Sequence, residues 1–136
     1  IATFGNYKIA FMKEIKPGIA YTLTEEVTAE MSAGQVGSGL LDVYSTPAMI
    51  ALMEKTSYLC VQPYLDAEQS TVGGAVNIRH MKPTANGQKV VCVCQVKVVK
   101  KKKIEFELEV TENGIVIGKG VHVRFVVDKE SFMKLI

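Results

Sequence analysis

No apolar run in the chain approaches the ~20 residues that a membrane-spanning helix requires, so no such helix is expected. The start, Ile1-Ala2-Thr3-Phe4-Gly5-Asn6-Tyr7-Lys8, lacks the charged-then-apolar order of a secretory leader, which argues against export. An excess of either charge is also missing. Sixteen Lys and Arg against fourteen Asp and Glu leave +2, too little to argue for a nucleic-acid partner. Cysteine is scarce: three residues, an odd number, do not make a disulfide framework. Cys92 and Cys94 would share one face of an extended strand, a poor geometry for a bridge, and no histidine or second cysteine pair completes a zinc site. Buried, reduced thiols in a cytoplasmic protein follow, with no metal and no cofactor called for. There is no internal repeat and no low-complexity segment. Gly34, Gly37 and Gly39 lie close together, but their spacing fits neither the dinucleotide fingerprint nor the P-loop, and no Gly-Lys-Ser/Thr follows. They read as a plain loop.

What is present is enough for one core. The 136 residues are 48% apolar and 22% charged, as expected of one globular domain. The chain does not begin with methionine, whereas Met12 is followed by Lys13-Glu14-Ile15-Lys16. Residues 1–15 are therefore read as an N-terminal extension, with 1–11 upstream of or added to the natural start, and 16–136 as the domain.

The stretch that organises the domain runs from Ser45 to Val61. Thr46 is a favoured N-cap residue, Pro47 suits a first helical turn where its missing N–H costs nothing, and Pro63 stops the run. From Ala48 to Met53 no side chain carries a polar group, so this half is expected to be wrapped by other structure. Glu54 follows directly. A carboxylate in such a setting must find a partner, take up a proton or do chemistry.

The remainder alternates as strands. Ile19, Tyr21 and Leu23 alternate with small or polar residues, marking a first strand to Val27. In residues 70–81 the even positions Val72, Gly74, Val76, Ile78 and His80 read as the apolar face, which turns His80 toward the core. The adjacent Gly73 and Gly74 predict a bulge or a close approach of the backbone to a neighbour. Asn86-Gly87 is a turn, residues 89–100 are a valine-rich strand, and Ile104, Phe106, Leu108 and Val110 alternate with glutamates. Asn113-Gly114 closes a hairpin into residues 115–127, where His122 and Arg124 read as ordinary polar positions between Val121, Val123 and Phe125. Asp128 can cap a short terminal helix. The lysines at 100–103 fall at a hairpin tip, either opposing the glutamates of the next strand or offering a landing site for a phosphorylated ligand. One strand, a central helix and four antiparallel strands make an α+β domain.

A long helix wrapped by a five-stranded antiparallel sheet is the hotdog architecture. Three segments, Val43-Tyr44-Ser45-Thr46-Pro47-Ala48-Met49-Ile50-Ala51-Leu52-Met53-Glu54, Thr71-Val72-Gly73-Gly74-Ala75-Val76-Asn77-Ile78-Arg79-His80 and Gly118-Lys119-Gly120-Val121-His122-Val123-Arg124-Phe125, resemble the fluoroacetyl-CoA thioesterase-like family of hotdog proteins. The resemblance implies hydrolysis of an acyl-CoA thioester, with a non-catalytic acyl-CoA binding or sensing protein as the alternative. It carries a catalytic set onto Thr46, Glu54 and His80, and substrate-binding roles onto Gly73, Gly74 and Arg124. At Gly74 the chain departs from the threonine that family members often carry. The implied partners are the acyl-CoA substrate and a second copy of the chain in a homodimer or larger assembly, with neither nucleic acid nor membrane. Each residue also has a plainer role: Thr46 as a helix cap, His80 as a hydrogen-bonded core histidine, and Glu54 in an ion pair with Arg79 or Arg124.

Overall fold

The computed structural model describes residues 14–136; the extension expected at 1–11 lies outside the described residues. Strands β1 (Ala20–Glu26), β2 (Gln69–His80), β3 (Lys89–Lys100), β4 (Lys103–Glu112) and β5 (Ile115–Asp128) form one antiparallel sheet in the order β1-β3-β4-β5-β2. A one-turn helix α1 (Ala33–Val36) interrupts the glycine-rich loop, the long helix α2 (Thr46–Val61) crosses one face of the sheet, and α3 (Lys129–Met133) closes the chain. Asp128 caps α3 through Oδ1, which accepts from the Ser131 N–H at 2.9 Å. Asn113 and Gly114 both take positive φ, 49° and 78°, as the two-residue turn between β4 and β5 demands. This is the hotdog architecture.

The core lies between α2 and the inner sheet face. Met49, Leu52, Met53 and Cys60 of the helix are buried together with Cys92, Cys94, Ile104, Phe106 and Leu108 of the strands. Each large side chain so buried contributes about 1.5–3 kcal/mol. Thr56 and Ser57 enter the same region by bonding back to the Leu52 and Met53 carbonyls at 2.7 and 2.8 Å.

Three sequence expectations change here. The first half of α2 is not wrapped on all sides: Pro47 and Ala51 are exposed, because a single sheet covers only one side of the helix. The even-numbered face of β2 does not run unbroken. A register shift between Gly73 and Ala75 leaves Gly74 as the extra residue, so Thr71 and Gly73 before it share the inner face with Ile78 and His80 after it. The lysine tip does not oppose the glutamates: Lys100 lies directly across from Lys103, and the lysine that reaches β4 is Lys97, 3.8 Å from Glu107.

Candidate active site

Two polar clusters sit on the helix side of the sheet, one at the start of α2 and one near its middle. The first is built at the helix start. Ser45 is the N-cap, its hydroxyl accepting from the Ala48 N–H at 3.1 Å, and Thr46 is the first helical residue. The expectation that Thr46 caps the helix is thereby corrected, and its hydroxyl is free for another partner. That partner is His80: Thr46 Oγ1 lies 2.8 Å from Nδ1. The imidazole meets Tyr44 edge-to-face, with ring centroids 6.1 Å apart. Tyr44 is itself fixed by burial and by donating its hydroxyl to Glu25 Oε2 at 3.4 Å. Burial holds the His80 pKa below that of a free histidine, with the Lys82 backbone acting in the opposite sense. A neutral imidazole beside a hydroxyl is a proton acceptor. Together they line a depression of about 280 Å³ with Ser38, Val43 and Lys82. A larger concavity of about 780 Å³ lies on the outer sheet face among Asn77, Arg79, Gln95, Glu107 and Lys119. It contains no hydroxyl or thiol paired with a base, whereas the smaller depression holds the Thr46–His80 pair.

The second cluster surrounds Glu54, eight residues further along α2 and so about 12 Å along its axis. Its side chain is 42% exposed, not buried as the flanking apolar residues suggested. Oε2 lies 3.4 Å from Arg124 Nη1 and 4.0 Å from His122 Nε2. Arg124 is buried; its Nε donates to Thr71 Oγ1 at 2.7 Å and its Nη2 to the Thr71 carbonyl at 2.9 Å. Burial lowers the Arg124 pKa, and Glu54 opposes that shift. Of the two ion pairs open to Glu54, the one with Arg124 forms. A Cβ added at Gly73 would stand 2.8 Å from Glu54 Oε2, so glycine is what lets the carboxylate approach the strand. One added at Gly74 would instead strike the Phe125 ring at 2.5 Å on the outer face. Gly74 is therefore the bulged residue and does not line the cluster.

The single chain thus joins Thr46 to His80 and Glu54 to Arg124 and Gly73, and it does not bring the two sets together. Among the described residues no group of three or more His, Cys, Asp or Glu can hold a metal, and no helix is long and apolar enough to cross a membrane.

The sequence profile of the family described as fluoroacetyl-CoA-specific thioesterase matches residues 27–130. The chain belongs to this family. A curated relative, the fluoroacetyl-CoA thioesterase of Streptantibioticus cattleyicolor, is 26% identical over 91 residues, which are 67% of this chain and 66% of that protein. The fold matches a solved structure of the fluoroacetyl-CoA thioesterase FlK with a TM-score of 0.86 at 21% identity, covering 90% of this chain and 96% of that one. It also matches a thioesterase superfamily member from Thermus thermophilus, TM-score 0.84 at 24% identity over 91% and 92% of the two chains. A hot-dog-like protein from Thermanaerovibrio acidaminovorans gives 0.82 at 17% identity over 89% and 90%.

Within this family member, His122 is the residue that pattern reading missed. It is 1% exposed, stacks on Phe106 with centroids 6.3 Å apart, and bonds Arg124. His122 and Arg124 are not ordinary polar positions but the inner-facing set of β5, because β4 pairs Phe106 with His122 and Ile104 with Arg124.

Two expected results follow from this geometry. In Gly73→Ala the new methyl displaces the Glu54 carboxylate, and because a misplacement of about 1 Å near reacting groups costs up to ~100-fold, turnover should fall by about that factor. Steady-state rates checked against an unchanged circular dichroism spectrum test this; full turnover would show that the position of Glu54 does not matter. The second concerns pH. Both histidines titrate below the ordinary value of 6.5 in the folded state. The unfolded chain therefore takes up protons first as pH falls, so their contribution to stability is complete above 6.5 and is lost progressively below it. Glu25, whose pKa burial raises above 4.5, acts in the opposite sense nearer its own range. Melting temperature should be flat from pH 8 to 7 and fall from 6.5 to 5.5; a rise over that last interval would contradict the assignment.

Proposed function

We propose that the chain hydrolyses acyl-CoA thioesters to the free acid and CoA, acting as a homodimer in the cytoplasm through Thr46, His80 and Glu54. The observation that carries this reading is the 2.8 Å contact between a helix-start hydroxyl, freed from capping by Ser45, and the Nδ1 of His80. In the proposed reaction Thr46 Oγ1 attacks the thioester carbonyl as its proton passes to Nδ1. The tetrahedral intermediate expels the CoA thiolate, which takes the proton from His80; water then attacks the acyl-threonine as His80 accepts its proton, and collapse releases the free acid while His80 returns that proton to Thr46 Oγ1. At the helix start Pro47 has no N–H, and those of Ala48 and Met49 bond the Ser45 hydroxyl and carbonyl. The Thr46 N–H is therefore the helix-start group placed to receive the developing oxyanion.

Glu54 enters from a second copy. Strand β2 is a sheet edge whose residues 73–77 are all exposed, as are Pro47 and Ala51 of α2. A long unprotected edge invites strand pairing. Antiparallel pairing of two β2 strands centred near Val76 sets His80 of one chain beside the Gly73 bulge of the other, at the ~4.8 Å spacing of neighbouring strands. Thr46 and His80 of one copy then face Glu54 and Arg124 of the other. That a relative is named for fluoroacetyl-CoA and a solved FlK variant was captured with fluoroacetate and CoA supports an acyl-CoA substrate. The unbridged cysteines 60, 92 and 94 support a reducing compartment. The fold placed on residues 16–136 supports one domain there.

The test is release of CoA thiol, read with a thiol-reactive dye, from a panel of short and medium acyl-CoAs. Turnover on at least one member is expected. Binding without turnover across the panel would favour the silent acyl-CoA binding protein instead.

A further inference from the structure

We propose that His122 is a positioning residue, held as the neutral Nδ1–H tautomer so that its Nε2 accepts from Arg124 and keeps the guanidinium turned onto Glu54. The inference rests on the proposed hydrolysis only for its kinetic consequence; the tautomer follows from hydrogen-bond accounting alone.

That accounting closes at every atom. His122 Nδ1 is 2.8 Å from the Ala75 carbonyl, and a carbonyl only accepts, so Nδ1 carries the proton. His122 Nε2 is 3.1 Å from Arg124 Nη1, and a guanidinium only donates, so Nε2 carries a lone pair. The ring is therefore neutral, in the less common of its two tautomers. Protonating Nε2 would direct an N–H at the guanidinium. Burial, the dominant influence, and Arg124 both hold the pKa of the ring down, whereas the Ala75 carbonyl and Glu54 act to raise it. The charged or titratable groups facing the ring are Arg124 on its own strand and Glu54 on α2; Phe106 of β4 covers one ring face.

The consequence reaches Glu54. The guanidinium is held at three corners, by Thr71 Oγ1, the Thr71 carbonyl and His122 Nε2, before it meets the carboxylate. A salt bridge to a half-exposed glutamate would by itself leave both partners mobile. Here the arginine is fixed in advance and the carboxylate docks against it. Ala75 is also the first residue after the Gly74 bulge, so the same ring ties the bulge to the ion pair.

Two measurements test the proposal. Long-range ¹H–¹⁵N correlation on histidine-labelled protein at pH 7 should show His122 as neutral Nδ1–H, alongside slowly exchanging Arg124 guanidinium protons. An Nε2–H tautomer or a charged ring would overturn the proposal whatever the protein's activity. His122→Phe keeps the contact with Phe106 and removes both hydrogen bonds, whereas His122→Gln restores one donor and one acceptor. On a substrate that the wild type turns over, the Phe variant should lose about 10-fold or more in kcat with little change in KM and should lose the Arg124 signals. The Gln variant should recover most of both. Unchanged kcat and retained Arg124 signals in a folded Phe variant would overturn the proposal. A wild type that turns over no acyl-CoA would instead refute the proposed hydrolysis and leave the tautomer measurement to stand alone.

Discussion

Replacing His80 by alanine should abolish most turnover while leaving the fold in place. The ring makes one side-chain hydrogen bond, to Thr46, and one edge contact, with Tyr44, so its removal should cost stability only on the order of 1 kcal/mol. The catalytic loss is of another size: without the imidazole the Thr46 proton has no acceptor, and general-base catalysis is typically worth ~100- to 10,000-fold. The check is kcat on the best acyl-CoA together with a thermal melt. A variant that melts within a few degrees of wild type and retains full kcat would remove His80 from the mechanism.

Glu54→Gln should show the same separation of rate from stability. Glutamine keeps the length and one acceptor for Arg124, and the side chain it replaces is 42% exposed, a setting in which an ion pair contributes under about 1 kcal/mol. Arg124 retains its bonds to Thr71 and His122, so it is not stranded as an unpaired buried charge. In the proposed mechanism the substitution removes the negative charge that stabilises a protonated His80 across the paired edges. We expect at least ~100-fold loss of kcat, in the range of a lost electrostatic partner at a reacting centre, with a melting temperature close to wild type. Normal turnover with a large fall in melting temperature would make Glu54 a structural ion-pair member.

The helix and the five strands were legible because each rests on a local rule, whereas the pairing of Thr46 with His80 was reached only through the family resemblance. Pro47 and Pro63 bracket α2, Asn113-Gly114 demands its turn, and alternation marks β4 without ambiguity. The face of β5 was not legible, for a reason that is also local. The Asn113-Gly114 turn pairs Glu112 with Ile115, and extending that register without a break would set Val121 opposite Phe106. A register shift between Val110 and Thr111 moves the pairing by one residue, and a shift of one turns every side chain to the other face. His122 and Arg124 consequently face the helix while Phe125 faces outward. The glycine pair at 73–74 did announce the bulge in β2, but not that it would carry Gly73 to the inside and Gly74 to the outside. Glu54 misled for another reason: its neighbours in sequence are apolar, yet its side chain lies where the sheet of its own chain covers α2 only in part, reaching Arg124 while staying 42% exposed.

Thr46 and Glu54 lie about 12 Å apart along one helix and cannot touch within it, so the proposed mechanism requires two half-sites meeting across paired β2 edges. The most direct measurement is turnover by a mixture of Thr46→Ala and Glu54→Gln chains after subunit exchange has been demonstrated. In a mixed dimer one interface site combines both lesions and the other combines the intact Thr46 and His80 of one chain with the intact Glu54 of its partner. Activity should therefore return to about half the wild-type rate per mixed dimer, by the symmetry of a two-fold interface. No recovery in proven mixed dimers would show that each chain completes its own site, and would contradict the account.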